Sequence, residues 1–102
     1  LDTTRIINEG LAMIEKEFGQ KLSENSLGCT RMMSHMYYMI VRTRKGEPTN
    51  MDFNDFIFEH YPKTGEVAKK VCEYMEKALK LPIAKEEIGF LAIHIQRVIT
   101  PQ

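Results

Sequence analysis

The absences in this chain narrow its function first. No apolar run approaches the roughly 20 residues that a membrane-spanning helix requires, and no signal-peptide pattern opens the sequence. A cytoplasmic location off the membrane is expected. An excess of one charge is missing too, with 14 Lys and Arg against 14 Asp and Glu. Nucleic-acid binders usually carry a basic excess or stripe. The densest basic segment, Arg42-Thr43-Arg44-Lys45, ends a helical pattern, where cations favour the helix dipole. Direct nucleic-acid binding by this chain is not expected. There are only two cysteines, Cys29 and Cys72, in no metal-binding spacing. They read as small buried residues of a reducing compartment. The sequence holds no HExxH, no ExxH, no Ser or Cys elbow and no phosphate-cradling glycine loop. No enzyme activity, catalytic residue, metal or cofactor is expected.

What is present is an ordinary globular mixture, 43% hydrophobic and 27% charged. At 102 residues it predicts one domain spanning 1–102. The chain begins with Leu1 rather than Met, as a segment cut from a longer protein with an output domain would.

Periodicity predicts helices throughout, and no alternating strand pattern competes. A first helix is predicted over about Thr3 to Phe18, capped by Asp2 and ended by Gly19, with Ile7, Leu11, Ile14 and Phe18 on one face. A second is predicted over about Ser26 to Arg44, closed by Lys45-Gly46, and Glu47-Pro48-Thr49-Asn50 forms a connector. A short third helix over about Asp52 to Phe58 brings Phe53, Phe56, Ile57 and Phe58 as a plug for one end of the bundle. Pro62 permits a new start, and a fourth helix over about Thr64 to Lys80 carries a wide apolar stripe suited to several neighbours. Leu81-Pro82 breaks it, and a fifth runs over about Lys85 to Ile99, before Pro101. The expected fold is all-α, a compact five-helix bundle.

The last helix carries the most informative pattern. Ile88, Leu91, Ile95, Val98 and Ile99 share one apolar stripe. At about 100° per residue, Glu87 and His94 point in nearly the same direction at its edge. The second helix repeats the device. Met32, Met36, Met39, Ile40 and Thr43 face inward, and His35 and Arg42, seven residues apart, align at the edge. Each helix therefore holds one half-buried imidazole with one charge two turns away, about 10.5 Å along the axis. That suits imidazole chemistry or a pH-sensitive contact. Histidines that merely fill the rim of a packed helix are the plainer reading.

These segments resemble the PTS regulation domain, or PRD, of bacterial transcriptional antiterminators and activators. The family's first signature, a His-Leu stretch with an Arg seven residues on, stands here as His35-Met36-Tyr37-Tyr38-Met39-Ile40-Val41-Arg42. Its second, close to Glu-Ile-Gly-Tyr-Leu-Thr-Leu-His-Ile, stands as Glu87-Ile88-Gly89-Phe90-Leu91-Ala92-Ile93-His94-Ile95. Between them, His60 to Val71 matches the family's Tyr-Pro followed by a helix. Met36, Phe90 and Ala92 replace the usual Leu, Tyr and Thr, all mild packing changes. The resemblance implies pairing of the first helix with the fourth and the second with the fifth. It implies regulation through phosphorylation of His35 or His94 by the phosphocarrier HPr or a sugar-specific enzyme IIB, with altered packing of a homodimer. Arg42 then becomes a candidate phosphate partner, and Glu87 a group that orients the His94 ring yet repels a phosphate.

Three other readings compete. One is a metal site of His35, His94 and Glu87 with His60 or a cysteine. Another is an enzyme using His94 and Glu87 as an acid–base pair. The third is a helical dimerisation module that works without phosphorylation. Tyr37 and Tyr38 suit either an interface or the core, His60 reads as structural, and the seven methionines as core fill.

Overall fold

The computed structural model describes residues 2–47, 49 and 51–99. They form five helices, α1 (Thr3–Phe18), α2 (Leu27–Lys45), α3 (Asn54–His60), α4 (Pro62–Leu79) and α5 (Glu86–Ile99), with no strand among the described residues. The all-α, five-helix expectation holds.

Local chemistry sets the ends. The Asp2 side chain accepts from the Arg5 N–H, and Gly19 ends α1 at φ 62°, the left-handed conformation that glycine adopts without penalty. Ser26 caps α2 by accepting from the Cys29 N–H, and Gly46 closes it at φ 70°. Helix α3 starts two residues later than its apolar pattern suggests. Asp52 stays outside and its Oδ1 accepts the Asn54 N–H at 2.8 Å, the capping use that competes with helix entry. Helix α4 starts two residues earlier, with Pro62 in its first turn. Of the predicted connector, Pro48 and Asn50 lie outside the described residues, as does Pro101.

Helices α2 and α5 are antiparallel neighbours. Arg42 meets Glu87, His35 meets His94, and the open side of Gly28 faces Val98. Helix α1 packs on α4 in the same sense, with Phe18 under Lys63 and Gly10 against Val71. The wide stripe of α4 meets α1, α3 and α5. Met32, Met36, Met39 and Ile40 of α2 join Val71 and Met75 of α4 and Leu91 and Ile95 of α5 in a fully buried core. Within the third helix only Ile57 is fully buried, while Phe53 packs edge-on against Phe90 and Phe56 stays exposed. The end plug is thus built from fewer aromatics than expected.

Candidate functional site

The seam between α2 and α5 gathers all four residues singled out by the two signatures, but it changes their partners. Arg42 Nε donates to Glu87 Oε2 at 3.0 Å, and Arg42 Nη2 to Oε1 at 2.9 Å. This is a fork-on-carboxylate pair, the strong form of a charged hydrogen bond. The Glu87 side chain is 2% exposed and that of Arg42 28%. Both Glu87 oxygens are therefore committed across the seam, and neither hydrogen-bonds the His94 ring. The Glu87 hydrogen bond also holds the Arg42 guanidinium above its ordinary value. Beneath the pair, burial and then the Glu87 charge push the Cys72 thiol up to about 12.

The register of α5 is fixed by a residue with no mark in the sequence. Asn54, at the start of α3, accepts the Gly89 N–H on Oδ1 at 2.8 Å and donates from Nδ2 to the Lys85 carbonyl at 2.9 Å. These are the two groups an uninterrupted helix would pair with each other. A Cβ at position 89 would lie 2.6 Å from Asn54 Oδ1 and 3.1 Å from the Asn54 backbone N. Glycine in the second signature is thus a packing requirement. Farther along α5, the Thr64 hydroxyl donates to Gln96 Oε1 at 2.6 Å and ties α4 to the same helix.

Two turns beyond the ion pair on each helix, the imidazoles of His35 and His94 stack with centroids 4.5 Å apart and planes inclined by 29°. Phe90 flanks His35 at 6.4 Å. His35 Nε2 is sealed from solvent and has no hydrogen-bond partner among the described residues. Burial first, then His94 and the Arg42 charge, hold His35 down at about 4. His94 is half-buried, and burial, then Arg97 and Arg31, hold it below the ordinary imidazole value. Both rings are neutral at neutral pH. The pair can therefore present a basic nitrogen lone pair at the edge of a rigid, largely apolar seam, next to a fixed ion pair.

The remaining candidates lie elsewhere. His60 is exposed at the end of α3, against Phe56. Tyr37 and Tyr38 are 47% and 58% exposed and border a groove with Ile7 and Met33, so neither belongs to the core. Cys29 and Cys72 are buried free thiols. Among the described residues no group of three His, Cys, Asp or Glu side chains is placed to hold a metal ion, and no helix is long and apolar enough to cross a membrane. Arg31 and Arg97, which bear on His94, carried no sequence signal beyond their spacing of four and three residues from the two histidines.

The chain is 30% identical over 95 residues to the glcA/glcB genes antiterminator of Staphylococcus carnosus, covering 91% of this chain and 33% of that protein. It is 28% identical over 104 residues to the transcription antiterminator LicT of Bacillus subtilis, covering 97% of this chain and 37% of that one. Protein GlcT of Staphylococcus haemolyticus is 28% identical over 93 residues, covering 89% and 33%. The chain spans about a third of the length of these relatives. A family model described as the PRD domain matches residues 8–98, and the chain belongs to the PRD family.

Proposed function

We propose that residues 1–102 form one PTS regulation domain of a cytoplasmic transcriptional regulator, in which His94, with His35 stacked on it, accepts a phosphoryl group. The observation that carries this reading is the neutral, stacked imidazole pair at the edge of the α2–α5 seam. A phosphoacceptor must be neutral, because the attacking nitrogen needs its lone pair. It must also be reachable, which favours the half-exposed His94 over the sealed Nε2 of His35.

The donors are HPr or a sugar-specific enzyme IIB, as for the family. The His94 lone pair forms the new N–P bond while the donor's bond to phosphorus breaks, and that electron pair stays with the donor atom. The donor's own site supplies most of the positioning. This chain supplies the oriented ring and no catalysis of its own. The added charge sits over a seam held by one buried ion pair, and it favours a different packing of the homodimer. An attached domain reads that change. Two of the relatives are antiterminators by name, which makes RNA-dependent antitermination the output we favour, with no nucleic acid touched by this chain.

Incubation with phosphoenolpyruvate, enzyme I, HPr and a panel of enzyme IIB proteins tests this. The expected product is acid-labile, base-stable phosphate on the folded chain, lost in the double variant His35→Ala, His94→Ala. Light scattering at micromolar concentration is expected to give twice the monomer mass. A folded chain left unlabelled by every donor removes the phosphoacceptor reading. The dimerisation module that works without phosphorylation then takes its place, a role with which the sealed His35 nitrogen is also compatible.

A further inference from the structure

The acceptor needs a partner for the incoming negative charge, and the residue that sequence spacing nominates is occupied. Arg42 already has two donors on Glu87, and withdrawing them would strand a carboxylate that is 2% exposed. The fork is satisfied where it stands, at the far side of His35 from solvent-exposed Arg31.

Two other arginines stand free of such commitments. Arg31 lies four residues before His35 on α2, and Arg97 three residues after His94 on α5. At those spacings each shares a helix face with its histidine. The helices run antiparallel, with Gly28 opposite Val98 and His35 stacked on His94. Both arginines therefore fall on the same stretch of the seam, just beyond the stacked rings. Both line one groove of about 670 Å³ between the end of α5 and the start of α2. Both are exposed, and among the described residues neither makes an ion pair. Their charges already reach His94, which they help to keep neutral. Lys21 adds a third cation to the groove wall.

We infer that Arg31 and Arg97 receive the phosphoryl group on His94, one from each helix, and act as its positioning residues. The inference rests on His94 as the acceptor, and it assigns the phosphate to the groove side of the seam rather than to Arg42. Two guanidinium groups give planar, paired donors to phosphate oxygens. A phosphate so held links the start of α2 to the end of α5 from outside. The same seam is tied from inside by Arg42 and Glu87. Modification then adds a second clamp without dismantling the first.

The test uses phosphoramidate, a small phosphoryl donor that needs no partner protein. The His94 nitrogen takes the phosphoryl group and the P–N bond of phosphoramidate breaks; the ring gives up its N–H proton to water, and the leaving nitrogen takes up one proton from water and departs as ammonia. The ³¹P resonance of the labelled chain is then followed through its second ionisation. In the wild-type chain the two arginines hold that ionisation at low pH. In Arg31→Gln, Arg97→Gln it is expected to move up by about one unit, a tenfold change in proton affinity. Arg31→Lys, Arg97→Lys is expected to restore most of the difference, a rescue that a purely structural role would not give. Circular dichroism checks that each variant is folded. An unchanged ³¹P titration in the double Gln variant overturns the inference. So does a wild-type resonance that persists in His94→Ala with the same shift and titration, or a folded wild-type chain that phosphoramidate leaves unlabelled. If the arginines behave as expected but no protein donor labels the chain, the clamp stands and only control by the phosphotransferase system fails.

Discussion

Arg42 and Glu87 are partners across the α2–α5 seam, joined by two hydrogen bonds of 3.0 and 2.9 Å, although each aligns along its own helix with a histidine. The carboxylate is almost fully buried, while water reaches part of the guanidinium. Breaking a buried pair by removing one member strands the other charge.

Arg42→Ala is therefore expected to destabilise the fold by about 2–4 kcal/mol, somewhat below the full cost for a completely buried pair because Arg42 is partly exposed. Pairing Arg42→Met with Glu87→Leu removes both charges and is expected to recover most of that loss. Urea denaturation of the two single variants and the double gives the coupling directly. A coupling below about 0.5 kcal/mol would mean that the bridge holds nothing.

Gly89 predicts a substitution whose sign runs against helix propensity. In a free helix interior, Gly→Ala gains up to about 1 kcal/mol. Here the new methyl would meet Asn54 Oδ1 at 2.6 Å and backbone atoms of Phe53 and Asn54 at 3.1 Å, and the Asn54 amide can swing away only by giving up its bonds to Gly89 and Lys85. Gly89→Ala is expected to destabilise by about 1–3 kcal/mol, and Asn54→Ala by about 1–2 kcal/mol through lost hydrogen bonds. Thermal melts of both variants check this, and a stabilised Gly89→Ala would contradict the close approach of α3 to α5.

Much of this fold can be read from the chain, and what cannot has a specific cause. Asp2, Gly19, Ser26 and Gly46 mark their helix ends because capping is local chemistry. The apolar stripes of α1, α2, α4 and α5 together name most of the core. The site was only half legible. Spacing along one helix pairs His35 with Arg42 and His94 with Glu87, whereas antiparallel docking exchanges the partners, ring on ring and charge on charge. Asn54 was invisible because its role depends on α3 meeting the first turn of α5. Arg31 and Arg97 look like ordinary surface charges until the seam brings them beside one groove.

The histidine pair makes stability depend on pH in a defined window. His35 titrates at about 4 in the fold and at roughly 6.5 when unfolded. Between those values the unfolded chain binds the extra proton, so stability rises with pH there. The contribution is complete above about pH 6.5 and is lost as pH falls towards 4, by no more than about 3 kcal/mol. His94, lowered in the same direction, adds to the slope. Denaturation at pH 7 and pH 4.5 is expected to show a smaller loss in His35→Gln than in the wild-type chain. Equal losses would place the titrating group elsewhere.

The two rings also differ in what a donor can reach. His94 is half-exposed, while Nε2 of His35 lies beneath it with no access to solvent. For that His35 nitrogen to be phosphorylated, its ring must first leave the stack, and the cost of that opening lowers the competent population in proportion. His94 needs no such step. In single-turnover labelling with a phosphorylated donor, His94→Ala is therefore expected to remove most of the early label. His35→Ala is expected to leave the early rate within a few-fold of wild type. Removing the upper ring also uncovers the lower one, so His94→Ala is expected to label slowly rather than not at all. The decisive outcome is the order of the two variants. If His35→Ala abolishes the fast phase while His94→Ala keeps it, the donor reaches the pair from the other side, and the accessible nitrogen belongs to His35.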